Sequence, residues 1–322
     1  ERAVARVHGA ALLGALPVLA VAAALLARTR FPRSAAVLVM LVVTADLSWA
    51  NRRLAPTVPA DFYRTAPPVV AALRAAGGPV GRVWVESPMY SKAVPVPRPT
   101  TFADRARWER EVLLGYTGVS YGLDLAYTMD VGHFRPRLHA RLASMIHSAP
   151  AREKLMLLGA GAVTHLVHHI PISDRRAPVL QAFPGGDRPL LLSSNTLAVP
   201  RVRVVPALQP YAGEQGFMRA VLDGPDDLFL RVALVAREEV GALPLRGGAG
   251  GTARLLEDKG ARLRIEVRGE GGYLVVADSF VPGWSAAEDG RPVPILRADY
   301  AFRAVPVSPG AHEVVMRYSP LP

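Results

Sequence analysis

At 322 residues the chain is long enough for two folded units, or for one unit and a membrane anchor, and its lack of cysteine excludes a disulfide framework, a thiolate metal site and a Cys nucleophile. The formal charge of +11 is nearly all arginine, spread along the sequence without a basic stripe or interleaved aromatics. Such a pattern excludes a nucleic-acid partner and leaves anionic lipid headgroups as the better use of the charge.

Half of the residues are hydrophobic and the mean hydropathy is +0.20, with the excess near the N-terminus. The chain opens on Glu1 rather than Met, as a partial or processed chain would. Residues 9–27 and 34–50 are two apolar runs, each near the length that crosses a bilayer as a helix. The join, residues 28–33, allows only a tight hairpin. A signal peptide would explain the first run but not the second, and neither run has the polar face of a buried soluble helix. A transmembrane hairpin is therefore expected over residues 1–53. Three arginines in the join favour its placement inside, while Arg52 and Arg53 pull the other way. Asp46 and Trp49 would then stand near the outer end of the second helix.

From Pro56 the composition changes. A helix is expected after Pro67 and Pro68, ended by Gly77–Gly78, and then a strand over residues 82–86. Four prolines between Ser87 and Thr101 imply an extended loop. Helices follow at 104–114, with Asp104 as N-cap, at 134–147, and at 152–158, the last terminated by Gly159 and Gly161. Residues 115–132 are irregular and rich in glycine and tyrosine. Strands are expected at 162–168, 189–193 and 201–205, and a helix at 215–222. This makes residues 54–227 a mixed α/β domain.

Beyond Asp227 the pattern is mainly β, with strands at 228–235, 262–268, 272–278, 293–296, 302–307 and 313–318. Leu263, Ile265 and Val267 alternate with polar neighbours and should face a core. Asp289–Gly290 and Ser308–Pro309–Gly310 read as turns. Residues 228–322 are thus expected to form an antiparallel β-sandwich. The fold class is α+β: a transmembrane hairpin, a mixed α/β domain and a C-terminal sandwich.

His165, His168 and His169 invite a metal, but on a strand they point to different faces and no further ligand lies at a recognisable spacing. No metal is expected. Tyr116, Tyr121, Asp124, Tyr127 and Asp130 combine aromatic faces with carboxylates, a pairing that can stack on a sugar ring and hydrogen-bond its hydroxyls. They are the candidate substrate-binding residues, against the plainer reading that they pack and cap an irregular stretch. No sequence motif for a nucleophile elbow, a phosphate-binding loop or a zinc protease is present.

The C-terminal run Gly283-Trp284, Asp289-Gly290, Pro294, Phe302-Arg303-Ala304-Val305, Gly310, His312 and Tyr318 resembles the YfhO family of bacterial multi-pass membrane proteins. Asp46-Leu47, residues 155–167 and the stretch Asn195 to Arg201 (NTLAVPR) fit the same resemblance. It implies a GT-C-type membrane glycosyltransferase architecture that transfers a sugar from a polyprenyl-phosphate carrier to a cell-envelope acceptor. The family's catalytic acid sits in a first outer loop that this sequence does not contain, so no catalytic residue carries over and no cofactor is implied within the chain. The resemblance makes the chain the C-terminal portion of such a protein, in the bacterial cell membrane, with residues after about 53 extracytoplasmic. The alternative is a non-catalytic extracytoplasmic module, structural or protein-binding, anchored in the bilayer.

Overall fold

The computed structural model of the protein describes residues 32–51, 58–76, 81–87, 101–128, 136–184, 188–241, 245 and 247–320. The chain forms two compact units, one of residues 1–62 with Thr101–Ala103, the other of Tyr63–Thr100 with Asp104–Pro322.

In the first unit the second apolar run forms helix α1, Pro32–Asn51. Val37, Leu38, Met40, Leu41, Leu47 and Trp49 are exposed on it. Among the described residues no helix is long and apolar enough to cross a membrane, so the expected transmembrane hairpin finds no support here. The expected first helix, 9–27, lies outside the described residues.

The second unit is α+β, built on two mixed sheets. The first sheet has five strands in the order β2-β1-β3-β5-β4. They are β1 (Arg82–Val85), β2 (Leu125–Ala126), β3 (Val163–His168), β4 (Val179–Phe183) and β5 (Leu190–Ser194). Strand β1 runs parallel to both β2 and β3, while β5 runs antiparallel to β3 and β4. Alternation in β1 sends Val83 and Val85 to one face and Trp84 to the other. The first face is covered by helix α2 (Pro68–Ala75) through Val69, Val70 and Leu73. Burying such side chains contributes about 1.5–3 kcal/mol each. The opposite face meets Leu142 and Ile146 of α4 (Arg137–Ser148) and Leu155 and Leu158 of α5 (Ala151–Ala160). The intervening helix α3 spans Phe102–Glu111, with Asp104 inside its first turn rather than at its cap.

Gly159 lies within α5, not beyond its end; Gly161 is the C-cap. The reason is a close approach, since a Cβ on Gly159 would stand 2.2 Å from the Leu197 carbonyl oxygen. Alanine is the better helix former, yet Gly159→Ala should destabilise by about 1–3 kcal/mol because a backbone atom cannot yield. A lowered thermal midpoint with unchanged far-UV circular dichroism is the expected result.

The second sheet has nine strands. They are β6 (Val202–Val205), β7 (Ala207–Tyr211), β8 (Val232–Ala236), β9 (Gly251–Asp258), β10 (Arg262–Ser279), β11 (Trp284–Glu288), β12 (Arg291–Val293), β13 (Leu296–Ala298) and β14 (Phe302–Tyr318). Three short helices, α6 (Gly213–Asp223), α7 (Leu228–Arg231) and α8 (Arg237–Val240), interrupt the run. The sheet takes strands from both sides of residue 228, and its β7–β8 pair is parallel, so it is mixed rather than antiparallel throughout. The expected strand at 228–235 is a helical turn followed by β8. Strands β2, β4, β7, β9 and β11 have no counterpart among the expected strands.

Residues 262–278 were expected as two strands, and so were 302–318. Each pair is one continuous strand, and β10 and β14 form a long antiparallel hairpin. Ser308–Pro309–Gly310 is not a turn but lies within β14, with Glu270 opposite Pro309 and Gly269 opposite Gly310. The hairpin bends at this point. Gly269, Gly271, Gly272 and Gly310 all have positive φ, and a Cβ on Gly272 would stand 2.3 Å from the Val205 carbonyl oxygen. Before the bend the odd-numbered Leu263, Ile265 and Val267 face the shared core, and after it the even-numbered Leu274 and Val276 do. Both arms of the hairpin therefore line one core, with Val305, Val307, Val314 and Met316 from β14. The Asp289–Gly290 turn joins β11 to β12 as expected, both residues having positive φ.

Candidate functional site

Two adjoining cavities open beside the first sheet, the second of them lined by residues from both ends of the folded hairpin, with volumes of about 420 and 550 Å³. Both lie in the second unit and share Arg82, Asp124, Pro136, Asp278 and Ser279.

The first cavity is shaped by glycines at two close contacts. A Cβ on Gly81 would stand 2.7 Å from the Thr164 methyl, so its absence lets β1 begin flush against β3 and sets Arg82 at the rim. A Cβ on Gly161 would stand 2.4 Å from the Tyr127 hydroxyl, so its absence leaves room for that ring. Tyr127 follows β2 with φ of 55°, and its ring stacks on His139 of α4 at 4.9 Å between centroids. The Nδ1 of His139 is 3.1 Å from the Ser279 hydroxyl at the end of β10. Tyr116, 57% exposed, lies at the mouth.

The second cavity is organised by Asp278. Arg201 binds its carboxylate with Nε and Nη2, each at 2.9 Å, while Arg82 Nη2 donates at 2.5 Å and Arg303 Nη2 at 3.1 Å. Arg82 also donates to Asp124 at 3.1 Å and to the carbonyls of Gly161 and Ala277. Arg201 reaches Asp258 at 2.8 Å. Arg303 lies 3.8 Å above the Trp284 ring, a cation–π contact, and Trp284 packs at 5.3 Å against Tyr318.

Burial pushes the Asp278 carboxyl up, but the hydrogen bonds and charges of Arg201 and Arg82 outweigh it and hold the pKa at about 2. Burial lowers Arg303 to about 10 against the opposing pull of Asp278. Asp258 sits below its ordinary value: burial works upward, and the Gly260 amide with Arg201 works downward more strongly. With four guanidinium bonds Asp278 stays ionised near neutral pH, so it is an anchor and not a proton donor. The chemistry on offer is recognition: the exposed ring of Tyr116, the Ser279 hydroxyl, the His139 imidazole and the outward carboxylate of Asp124.

Of the five candidate residues, Tyr116, Asp124 and Tyr127 line the first cavity. Tyr121 is buried instead in the core under α2, where burial raises its pKa. Asp130 lies outside the described residues. Arg82, His139, Asp278 and Ser279 were missed. A charged residue closing an apolar strand, as in Tyr273–Asp278, was the available signal. Arg201, Trp284, Arg303 and Tyr318 had been noted only as carriers of the family resemblance, and the fold brings all four to the second cavity.

The three histidines are tied into the first sheet. His168 bonds the Ile170 carbonyl and the Ser193 hydroxyl, His165 the Thr164 hydroxyl, and His169 the Pro189 carbonyl. Burial lowers the pKa of each, favouring neutral imidazole.

Compared with known proteins, the chain matches no family model, no curated protein and no solved structure.

Proposed function

We propose that the second unit is an extracytoplasmic saccharide-holding module of a bacterial membrane glycosyltransferase of the GT-C type, as the resemblance to the YfhO family implies. In that role it assists transfer of a sugar from a polyprenyl-phosphate carrier to an envelope acceptor, with the catalytic loop supplied outside this sequence. The observation that carries the reading is the first cavity, where the exposed ring of Tyr116 stands beside Asp124 and Ser279, above a buried Tyr127–His139 stack. A flat apolar face next to hydrogen-bonding groups suits a pyranose ring, whose faces are apolar and whose edge is hydroxylated. The exposed apolar side chains of α1 support attachment to the bilayer.

Titration of the full chain with neutral oligosaccharides should raise its thermal midpoint and shift the ring resonances of Tyr116 and Tyr127. Tyr116→Ala, at an exposed side chain, should leave the unliganded midpoint within about 1 °C and abolish the shift. No saccharide-dependent shift across a panel of hexose, pentose and amino-sugar oligomers would remove the reading.

A second reading, a non-catalytic structural or protein-binding module, has one observation in its favour. The Arg82 side chain ties β1 to Asp124, Gly161 and the end of β10 at once, a clamp that structure by itself would justify. Recovery of one specific envelope protein on the immobilised chain, with no glycan bound, would favour it.

A further inference from the structure

Resting on the saccharide-holding reading, we infer that the ligand is an uncharged, linear oligosaccharide of at least two rings, lying across both cavities, and not a phosphorylated or uronic-acid sugar. Charge is the first ground. Among the described residues the two cavities are lined by three arginines, Arg82, Arg201 and Arg303, and by three aspartates, Asp124, Asp258 and Asp278. Each guanidinium already faces a carboxylate: Arg82 meets Asp124 and Asp278, Arg201 meets Asp258 and Asp278, and Arg303 meets Asp278. Among the described lining residues, a phosphate or uronate entering here would find no guanidinium without a carboxylate partner, and three competing carboxylates. It would give up its hydration without a new ion pair, which is the costly case. A neutral polyol meets the opposite situation. Paired charges present fixed acceptors and donors to hydroxyl groups at no cost in net charge.

Extent is the second ground. The cavities adjoin through Arg82, Asp124, Pro136, Asp278 and Ser279, and each falls in the size range of a complete small-ligand site. Aromatic side chains line both cavities, the exposed Tyr116 over the buried Tyr127 in one and Trp284 with Tyr318 in the other. The face of Trp284 is taken by Arg303, which leaves Tyr318, 37% exposed, as the platform at that end. A single ring reaches one platform. A linear chain reaches both, with the ion-paired floor between them.

The test is calorimetric titration of the full chain with cellobiose, cellotetraose, maltobiose, maltotetraose and tetragalacturonic acid. Tetramer of one neutral series should bind about tenfold more tightly than its dimer, and tetragalacturonate at least about tenfold more weakly than that tetramer. Tyr318→Ala should erase the gain from dimer to tetramer while keeping dimer binding, and Tyr116→Ala should erase binding of both. Equal or tighter binding of tetragalacturonate, or equal affinity for dimer and tetramer, would overturn the inference and leave the saccharide-holding reading standing. Absence of binding by every one of these probes and by the wider sugar panel would instead remove that underlying reading.

Discussion

Asp299→Asn is expected to lower the unfolding free energy by about 3–5 kcal/mol, the range for removing one partner of a buried ion pair. The pair is Asp299 with Arg203, 2.5 Å apart, and their side chains are 0% and 4% exposed. Burial works against charge on both, pushing the carboxyl up and the guanidinium down, and each partner offsets part of that for the other. The remaining bonds decide how far the damage spreads. Arg203 donates to the carbonyls of Phe229, Ala160 and Pro200, while Asp299 accepts the Leu234 amide. The pair thus ties α5, α7, β8 and β6 at one point. Asparagine keeps the shape and tolerates the positive φ of 46° at residue 299, but it keeps one accepting oxygen where the carboxylate uses two, so the change removes the charge and one hydrogen bond together. In urea the midpoint should fall with the slope unchanged. An Arg203→Met, Asp299→Asn double variant should recover part of the loss, because no uncompensated guanidinium is then buried. A loss below about 1 kcal/mol for the single variant would mean the pair is no more than a surface contact in energetic terms.

Asp278→Asn should be the second most damaging change, since it leaves Arg82, Arg201 and Arg303 around a neutral amide that can bind at most some of them. The acid limb of the stability curve gives an independent measure. The folded-state pKa of Asp278 is depressed to about 2, against about 3.9 for an unfolded aspartate. Its contribution is therefore fully present above about pH 4 and is lost as the pH falls toward 2. A shift of that size corresponds to roughly 2–3 kcal/mol. The stability gap between wild type and Asp278→Asn should hold from pH 7 to about 4 and narrow by that amount near pH 2. A gap that is constant through this range would show that the carboxylate's charge is not what holds the cluster.

Much of the architecture was legible because it is written in local periodicity. Leu263, Ile265 and Val267 were readable as a core face from alternation alone, and all three are buried. The Asp289–Gly290 turn was readable because its backbone demands positive φ at both positions. The bend at Gly269–Gly272 was misread as a gap between strands, since glycines normally weaken a ladder. Here they let a single ladder change face, which no local rule anticipates. The cleft was legible only in part. Tyr116, Asp124 and Tyr127 stood out by proximity in sequence, whereas the Asp278 cluster joins residues of β1, β10 and β14 with Arg201, just ahead of β6, and exists only once the sheets are formed. Tyr121 illustrates the converse. It looked equivalent to its neighbours, but the helical turn over Thr117–Tyr121 rotates it into the core.

The folded-over hairpin has a consequence for cooperativity. In a sandwich made of separate sheets, one wall can loosen while the other persists. Here β10 and β14 each run through both walls of the core, so neither wall owns its strands. Opening one arm withdraws the side chains that the other arm packs against, and the backbone pairing that would confine the damage is the same pairing. The core around Ile265, Leu274, Val305 and Val314 is thereby made an all-or-none element within the unit. The ion-paired cleft, lined from both ends of the hairpin, inherits that rigidity from strands too long to come apart in halves.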